Sequence, residues 1–289
     1  MKFEELGWKL HGLHYAGMAW GDPDKPPVLA LHGWLDNAAS FQRVAETLAE
    51  TCYVVAPDLS GHGKSDWRSP DATYHIYDDL PQLNALVAAM GWETFSLIGH
   101  SRGAAISAMY AATFPEQVGA LVLLDGAIPM PLDETEFAAQ MRRFIDEKKR
   151  LQDRKLRVYP DRAAAVTARE EQGLERAAAE LIASRNLYAC EGGYRWQTDP
   201  RLRGASAIKL TWNHLEAVLG ALSMPALLLV AEQGMIGKNQ HHLDKVAQII
   251  PDVTLETFPG SHHFHMEAAA PDLSRRINTF ISRESSQHV

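Results

Sequence analysis

The sequence predicts an α/β fold in which a mostly parallel, doubly wound sheet carries one helical insertion. Three observations predict it. Short, continuously apolar segments recur along the chain, helix-like segments fall between them, and the alternation lapses once over a long charged interval. Continuous rather than alternating hydrophobicity marks strands covered on both faces, as a parallel sheet flanked by helices requires.

In chain order, "FEELGWKLHGLHYAGMAWG" reads as one or two edge strands in a hairpin. The buried strands are "PPVLALHGW" (26–34), "TCYVVAPDL" (51–59), "TFSLIGH" (94–100), "ALVLLDG" (120–126), "PALLLVAEQG" (225–234) and "VTLETFPG" (253–260). Helices are expected in "AASFQRVAETLAE", "YDDLPQLNALVAAMG", "SRGAAISAMYAATFPE" and "NQHHLDKVAQII". Strand–helix alternation of this kind builds a doubly wound sheet.

From Pro131 to Ser223 the rhythm breaks, with charged amphipathic stretches such as "DETEFAAQMRRFIDEKKRLQDRK" and no good buried strand. That interval is too long for a connection. The expected organisation is therefore a core of residues 1–130 and 224–289 with a helical cap insertion over 131–223. An insertion that leaves after a strand's carboxyl end lies over the crevice where open α/β sheets bind ligands, and is expected to act as a lid.

Composition narrows the class of function. The chain has 289 residues, 46% of them hydrophobic and 22% charged, which suits one large globular domain with an insertion and excludes disorder. A formal net charge of −8 argues against nonspecific nucleic-acid binding and gives no basic membrane-binding face. Cys52 and Cys190 are far apart in sequence, so a reducing compartment is expected and a disulfide framework is not. The N-terminal "MKFEELGWKLHGLHYAG" lacks an apolar signal core and no run reaches membrane-spanning length, so the expectation is a cytoplasmic protein. Monomer and homodimer both stay open.

The chemistry centres on "LIGHSRGA" (97–104), which fits G-x-S-x-G between an apolar strand and a small-residue helix. That context exposes a serine on a sharp strand-to-helix turn, with flanking glycines allowing close backbone approach. Ser101 is thus the candidate nucleophile. "ALHGWLDN" supplies the loop that gives one oxyanion-hole donor in such folds, and the residue after the nucleophile gives the other, so the Trp34 and Arg102 N–H groups are the candidates.

A base is expected after the last strand, where "PGSHHFHME" holds His262, His263 and His265. Spacing does not choose among them, and His262 is favoured for standing nearest the Pro-Gly-Ser turn. Metal binding by this cluster is disfavoured because no Cys or carboxylate sits at a convincing interval. For the acid, the usual place after the penultimate strand reads Gly234, with Glu232 nearby. Asp125, ending "LVLLD" at the same sheet edge, is preferred over Glu232, against the plainer reading of Asp125 as a loop hydrogen-bonder. "PDLSGHGKSD" (57–66) lacks the spacing of a phosphate loop, and Asp58 and His62 are expected to hold it in shape.

With these motifs assembled, the chain resembles the α/β-hydrolase superfamily, and within it the serine hydrolase-like group. The matching stretches include "LHGWLDNAASFQRVAETLAE", "VVAPDLSGHGKSD", "FSLIGHSRGA", "LVLLDGAIP", "YRWQTDPRLR" and "GSHHFHME". The resemblance implies an α/β-hydrolase fold, Ser101 as nucleophile and His262 as base, the latter supported by Glu267 five residues on. Some members, such as haloalkane dehalogenases, take the acid from the strand before the lid, the position of Asp125, but those use an aspartate nucleophile. Arg102 departs from the Met or Gln often found there, and either recognises an acidic group or pairs with a buried carboxylate. The expected activity is cofactor-free hydrolysis of a small ester or thioester. Competing readings are attack on lactone, amide or carbon–carbon bonds, a slow-turnover small-molecule receptor, and a metal-dependent hydrolase.

Overall fold

In the computed structural model, which describes residues 2–152, 154–238 and 240–285, every apolar run read as a strand is one. The chain opens with β1 (Glu4–Leu10) and β2 (Leu13–Trp20), then β3 (Pro27–Leu31), α1 (Gln42–Leu48), β4 (Tyr53–Pro57) and α2 (Leu80–Met90). Next come β5 (Phe95–His100), α3 (Arg102–Thr113) and β6 (Val118–Leu124). Between β6 and the next core strand lie α4 (Phe137–Gln152), α5 (Arg162–Glu170), α6 (Arg176–Asn186), β7 (Leu187–Cys190), β8 (Gly193–Trp196) and α7 (Trp212–Gly220). The chain closes with β9 (Ala226–Gln233), α8 (Gln240–Ile249), β10 (Val253–Ser261) and α9 (Ala270–Ser285).

Eight strands form one sheet in the order β1-β2-β4-β3-β5-β6-β9-β10. The β1–β2 hairpin joins β4 antiparallel, and all later pairings are parallel. Both faces are covered, which is why the runs are continuously apolar. Leu29, Leu97, Leu121 and Leu228 point to one core shared with Leu83 of α2, Ile106 of α3 and Val246 of α8. Their neighbours Val28, Ile98, Val122 and Leu227 point to the other, shared with Leu48 of α1 and Ile277 of α9.

The winding reverses between β3 and β5. From β3 the chain moves outward to β4, and from β5 it moves the opposite way to β6. The carboxyl ends of these two adjacent strands therefore diverge into a crevice, the place where such sheets accept ligands. His32-Gly33-Trp34 leaves β3 there and Ser101 leaves β5 there.

The interval between β6 and β9 differs from the expected all-helical segment in two ways. It contains the antiparallel hairpin β7–β8, whose four-residue strands are too short and too exposed to read as buried runs. Helix α7 also packs with the main core, where Leu219 and Leu222 are fully buried. The remainder is tied down on the core by side chains. Arg185 of α6 places Nε 2.8 Å from Asp58 Oδ2 and Nη1 2.9 Å from Glu5 Oε2. The Trp34 indole donates to the Leu202 carbonyl at 2.8 Å, and the Asn37 amide donates to the Ile182 carbonyl at 2.9 Å. Among the described residues no helix is long and apolar enough to cross a membrane.

Helix α3 starts hard against β3. A Cβ on Gly103 would lie 2.0 Å from the Leu31 carbonyl oxygen, a backbone atom that cannot step aside. Gly103→Ala is therefore expected to lower stability by roughly 1–3 kcal/mol in urea unfolding, as overpacking does. Gly119→Ala, whose added methyl meets nothing within 4 Å, should stay within about 0.5 kcal/mol.

Candidate active site

Ser101 occupies the turn between β5 and α3 with φ 52° and ψ −114°. A non-glycine residue held there stores about 1–3 kcal/mol of backbone strain and needs surrounding structure to fix it. The fixing is visible: the Ser101 N–H donates to the Leu124 carbonyl at 2.9 Å, and the Ala105 N–H donates to the Ser101 carbonyl at 3.2 Å. The hydroxyl faces His262, with Oγ to Nε2 at 2.8 Å. His262 Nδ1 lies 2.5 Å from Asp125 Oδ2. An ionised carboxylate only accepts, so Nδ1 carries the proton and Nε2 is left to accept from the serine. The three residues form one hydrogen-bonded relay.

Asp125 ends the strand beside β5 and is itself left-handed, with φ 41°. Its N–H donates to Leu229 O at 2.8 Å, and its carboxylate accepts from Met235 N–H at 2.8 Å and Ala231 N–H at 3.3 Å. Burial works against the charged form, but His262 and these backbone donors hold the carboxyl below the usual carboxylate range. Gly234 is what lets Asp125 stand there, since a Cβ on it would lie 2.3 Å from Asp125 Oδ1. Glu232 is exposed near the end of β9, and no bond joins it to His262 among the described residues.

Glu267 has a definite task in the same turn: its carboxylate accepts from the Ser261 N–H at 2.9 Å and from the Ser261 hydroxyl, bracing the residue before His262. Asp58 and His62 shape their loop as expected. Asp58 accepts from Ala38 and Lys64 N–H groups, each at 2.8 Å, and His62 Nε2 accepts from the Leu35 N–H at 3.2 Å.

Trp34, Ser101 and Arg102 all line a cavity of about 450 Å³ at the crevice. No carbonyl of the described residues accepts from the Trp34 or Arg102 N–H groups. The Arg102 side chain is tied down: its Nη2 lies 2.9 Å from buried Asp79 Oδ2, and its guanidinium also donates to the Tyr74 and His75 carbonyls. Of the two roles open to Arg102, the structure shows the buried ion pair. The remaining walls are largely apolar, with Ile128, Met130, Ile208, Leu210 and Ile236 among them.

Sequence reasoning passed over a buried cluster behind the relay. His100 Nε2 donates to the His262 carbonyl at 2.8 Å, so the residue between Gly99 and Ser101 holds the backbone of His262. Asp36 sits at the centre, with Oδ2 3.5 Å from His100 Nδ1 and 3.7 Å from His263 Nε2, and with Arg169 of α5 3.4 Å from Oδ1. Burial opposes ionisation of Asp36, yet His263, His100 and Arg169 hold its carboxyl well below the usual range. His265 packs against His100, 4.1 Å between ring centroids with the planes tilted by 39°. "HGWLDN" and "GHSRG" contained two members of this cluster, but Arg169 arrives from a distant helix that no spacing rule links to them.

Ring nitrogens of His100, His262 and His263 come within 4.8 Å of one another, a separation a metal ion could bridge. Both His262 nitrogens already serve Asp125 and Ser101, and His100 Nε2 serves a carbonyl. A cation there would have to dismantle the relay, so the donor set suits proton transfer better than coordination.

Residues 26–269 match the alpha/beta hydrolase fold family, and the chain belongs to it. Within that family it falls in the serine hydrolase-like group. It is 32% identical over 275 residues to Serine hydrolase-like protein 2 of Homo sapiens, covering 88% of this chain and 86% of that one. Among solved structures it is similar to the hypothetical protein PA1622 from Pseudomonas aeruginosa PAO1, with a TM-score of 0.92, 36% identity, and 96% and 99% of the two chains covered. A thioesterase domain from the curacin biosynthetic pathway superposes with a TM-score of 0.84 at 25% identity, over 96% of this chain and 99% of that one. Fold and relatives together support a hydrolase.

The buried histidines tie stability to pH. Burial, with help from His100, lowers His263 to about 4, from an ordinary 6.5. Between those values the unfolded chain binds the proton and the folded one does not, so this contribution is whole above 6.5 and drains away towards 4. The urea midpoint should fall from pH 7 to pH 4.5, and His263→Gln should make that fall shallower. An equal pH slope in both proteins would contradict the assignment.

Proposed function

We propose that the protein is a serine hydrolase that cleaves a small ester or thioester through an acyl-enzyme on Ser101. The observation that carries this reading is the unbroken Ser101–His262–Asp125 relay, which opens on a largely apolar cavity. Ser101 Oγ attacks the carbonyl carbon while its proton passes to His262 Nε2, and Asp125 stabilises the imidazolium that results. The tetrahedral oxyanion is held by the Trp34 and Arg102 N–H groups, which have no acceptor among the described residues, and by the N-terminal end of α3. Collapse breaks the carbonyl carbon's bond to the leaving oxygen or sulfur, and His262 returns the proton to that atom. Water then gives its proton to His262, attacks the acyl carbon and releases the acid, restoring Ser101. No step draws on a cofactor. Residues from the 131–223 interval, such as Leu202, Ile208 and Leu210, wall the cavity, which supports a cap role for that insertion and a compact substrate.

Ser101→Ala should abolish hydrolysis of short p-nitrophenyl esters, a loss of about a million-fold in a well-studied serine triad. A fluorophosphonate probe should label Ser101 in the unmodified protein, as read by peptide mass spectrometry. Activity kept within about tenfold would remove the serine mechanism.

Asp125→Asn preserves shape but leaves Nδ1 facing an amide, which favours the wrong imidazole tautomer. It should cost at least about a hundredfold in kcat, against about 10⁴ in the chymotrypsin-type triad. Glu232→Gln should cost less than about tenfold. The reverse ranking in steady-state kinetics would assign the acid to Glu232.

A further inference from the structure

A second cavity, of about 260 Å³, adjoins the first, and Arg203 lines both. Its walls carry Arg154, Lys155, Arg157, Arg169 and Arg203 against a single acid, Asp199. That acid is already engaged, 2.7 Å from Arg201 Nη2 and accepting from the Tyr74 hydroxyl at 2.7 Å. Arg169 is held by Asp36. Among the described residues no carboxylate pairs with Arg154, Lys155, Arg157 or Arg203. Two of these guanidiniums sit over aromatic rings, Arg157 over Tyr159 at 4.7 Å and Arg203 over Trp34 at 5.6 Å to the ring centroid, which helps to hold them in place. Burial, with the repulsion of Arg169 and Arg154, pushes Arg203 below its ordinary value, as gathered positive charge does. This happens in a chain whose net charge is −8.

We propose that this basic cavity binds a phosphate-bearing leaving group, so that the substrate is an acyl ester or thioester of a phosphorylated alcohol or thiol. The proposal rests on the serine hydrolase reading above and supplies its substrate class. The division of labour follows from the two linings. The cavity at Ser101 is largely apolar and is assigned to the acyl chain, and the basic cavity beyond Arg203 is assigned to the phosphates of the leaving group. One carboxylate is satisfied by a single guanidinium fork; four cations with no carboxylate partner among the described residues match a group of charge −2 or more. Lys155 contributes as a point charge, and the arginines contribute directed donors.

The test compares butyryl-coenzyme A, whose leaving thiol carries phosphates, with S-butyryl-N-acetylcysteamine, whose thiol is neutral. In the unmodified protein kcat/KM should favour the phosphorylated thioester by at least about tenfold at low salt, and the preference should shrink as ionic strength rises. Arg154→Glu with Arg157→Glu, both on exposed side chains, should collapse that ratio towards one, mainly through KM. Calorimetric binding of coenzyme A itself reads the cavity without turnover, and its Kd should rise at least about tenfold in the double variant. A ratio near one in the unmodified protein, or a coenzyme A Kd indifferent to the two charge reversals, overturns the proposal. The two readings fail separately: full turnover in Ser101→Ala sinks the serine mechanism, whereas the calorimetry judges the anion site on its own.

Discussion

The left-handed turn at Ser101 is the constraint on which the rest of the site depends. A strand that ends with φ 52° throws its last side chain off the sheet edge instead of along a face. The next residue must then begin a helix, and that helix must pass close over β3, which is why position 103 has no side chain. The neighbouring strand ends in the same way, at Asp125 with φ 41°, and the two turns are joined by the Ser101 N–H bond to Leu124. The proposed nucleophile and acid are therefore registered against each other by the sheet ladder itself. Only His262 comes from a separate loop, and it is positioned twice, by Glu267 acting on Ser261 and by His100 acting on the His262 carbonyl.

Placing the proposed acid on β6 rather than β9 is an exchange of volume as well as of sequence position. The carboxylate fills the space that a side chain at Gly234 would claim, and it takes up N–H groups from the same segment, those of Ala231 and Met235. A carboxylate reaching His262 from either strand would meet the same imidazole nitrogen. What decides between them is which position is stripped to glycine, so the glycine and the aspartate report one arrangement from two ends of the chain.

The parts of the fold that could be read from sequence are those in which one local pattern has one physical cause. Strands buried on both faces yield continuous apolar runs, and the Gly-x-Ser-x-Gly turn yields its own spacing, so β3 to β6, β9, β10 and Ser101 were legible. The histidine was legible as a cluster, and its identity rested on proximity to a turn. What escaped was long-range and electrostatic. Asp36, His100 and Arg169 converge from three separate segments, and a single buried carboxylate gives no periodic signal. The β7–β8 hairpin escaped because its strands are short and half-exposed, and α7 because its amphipathic pattern resembles that of the helices before it while its apolar face turns into the core.

Those long-range contacts also fix how the site is reached. Arg185, nearly inaccessible to solvent, joins α6 to the buried Asp58 carboxylate and to Glu5 of β1, and Arg169 joins α5 to Asp36. Separating one partner of such a buried pair costs about 3–5 kcal/mol, because the charge left behind has no water to receive it. Two such pairs, with the Trp34–Leu202 and Asn37–Ile182 bonds beside them, hold α5, α6 and the Leu202 turn against the core as a fixed wall. Met130, Ile208 and Met235, 62%, 48% and 67% exposed, line the cavity at Ser101 without any such charge tie among the described residues. Entry by rearranging the exposed apolar side chains at this rim would leave every buried ion pair intact, whereas lifting the insertion would break at least two. The electrostatics that anchor the insertion thus leave the exposed apolar side chains at the cavity as the part of its wall not tied by a buried charge.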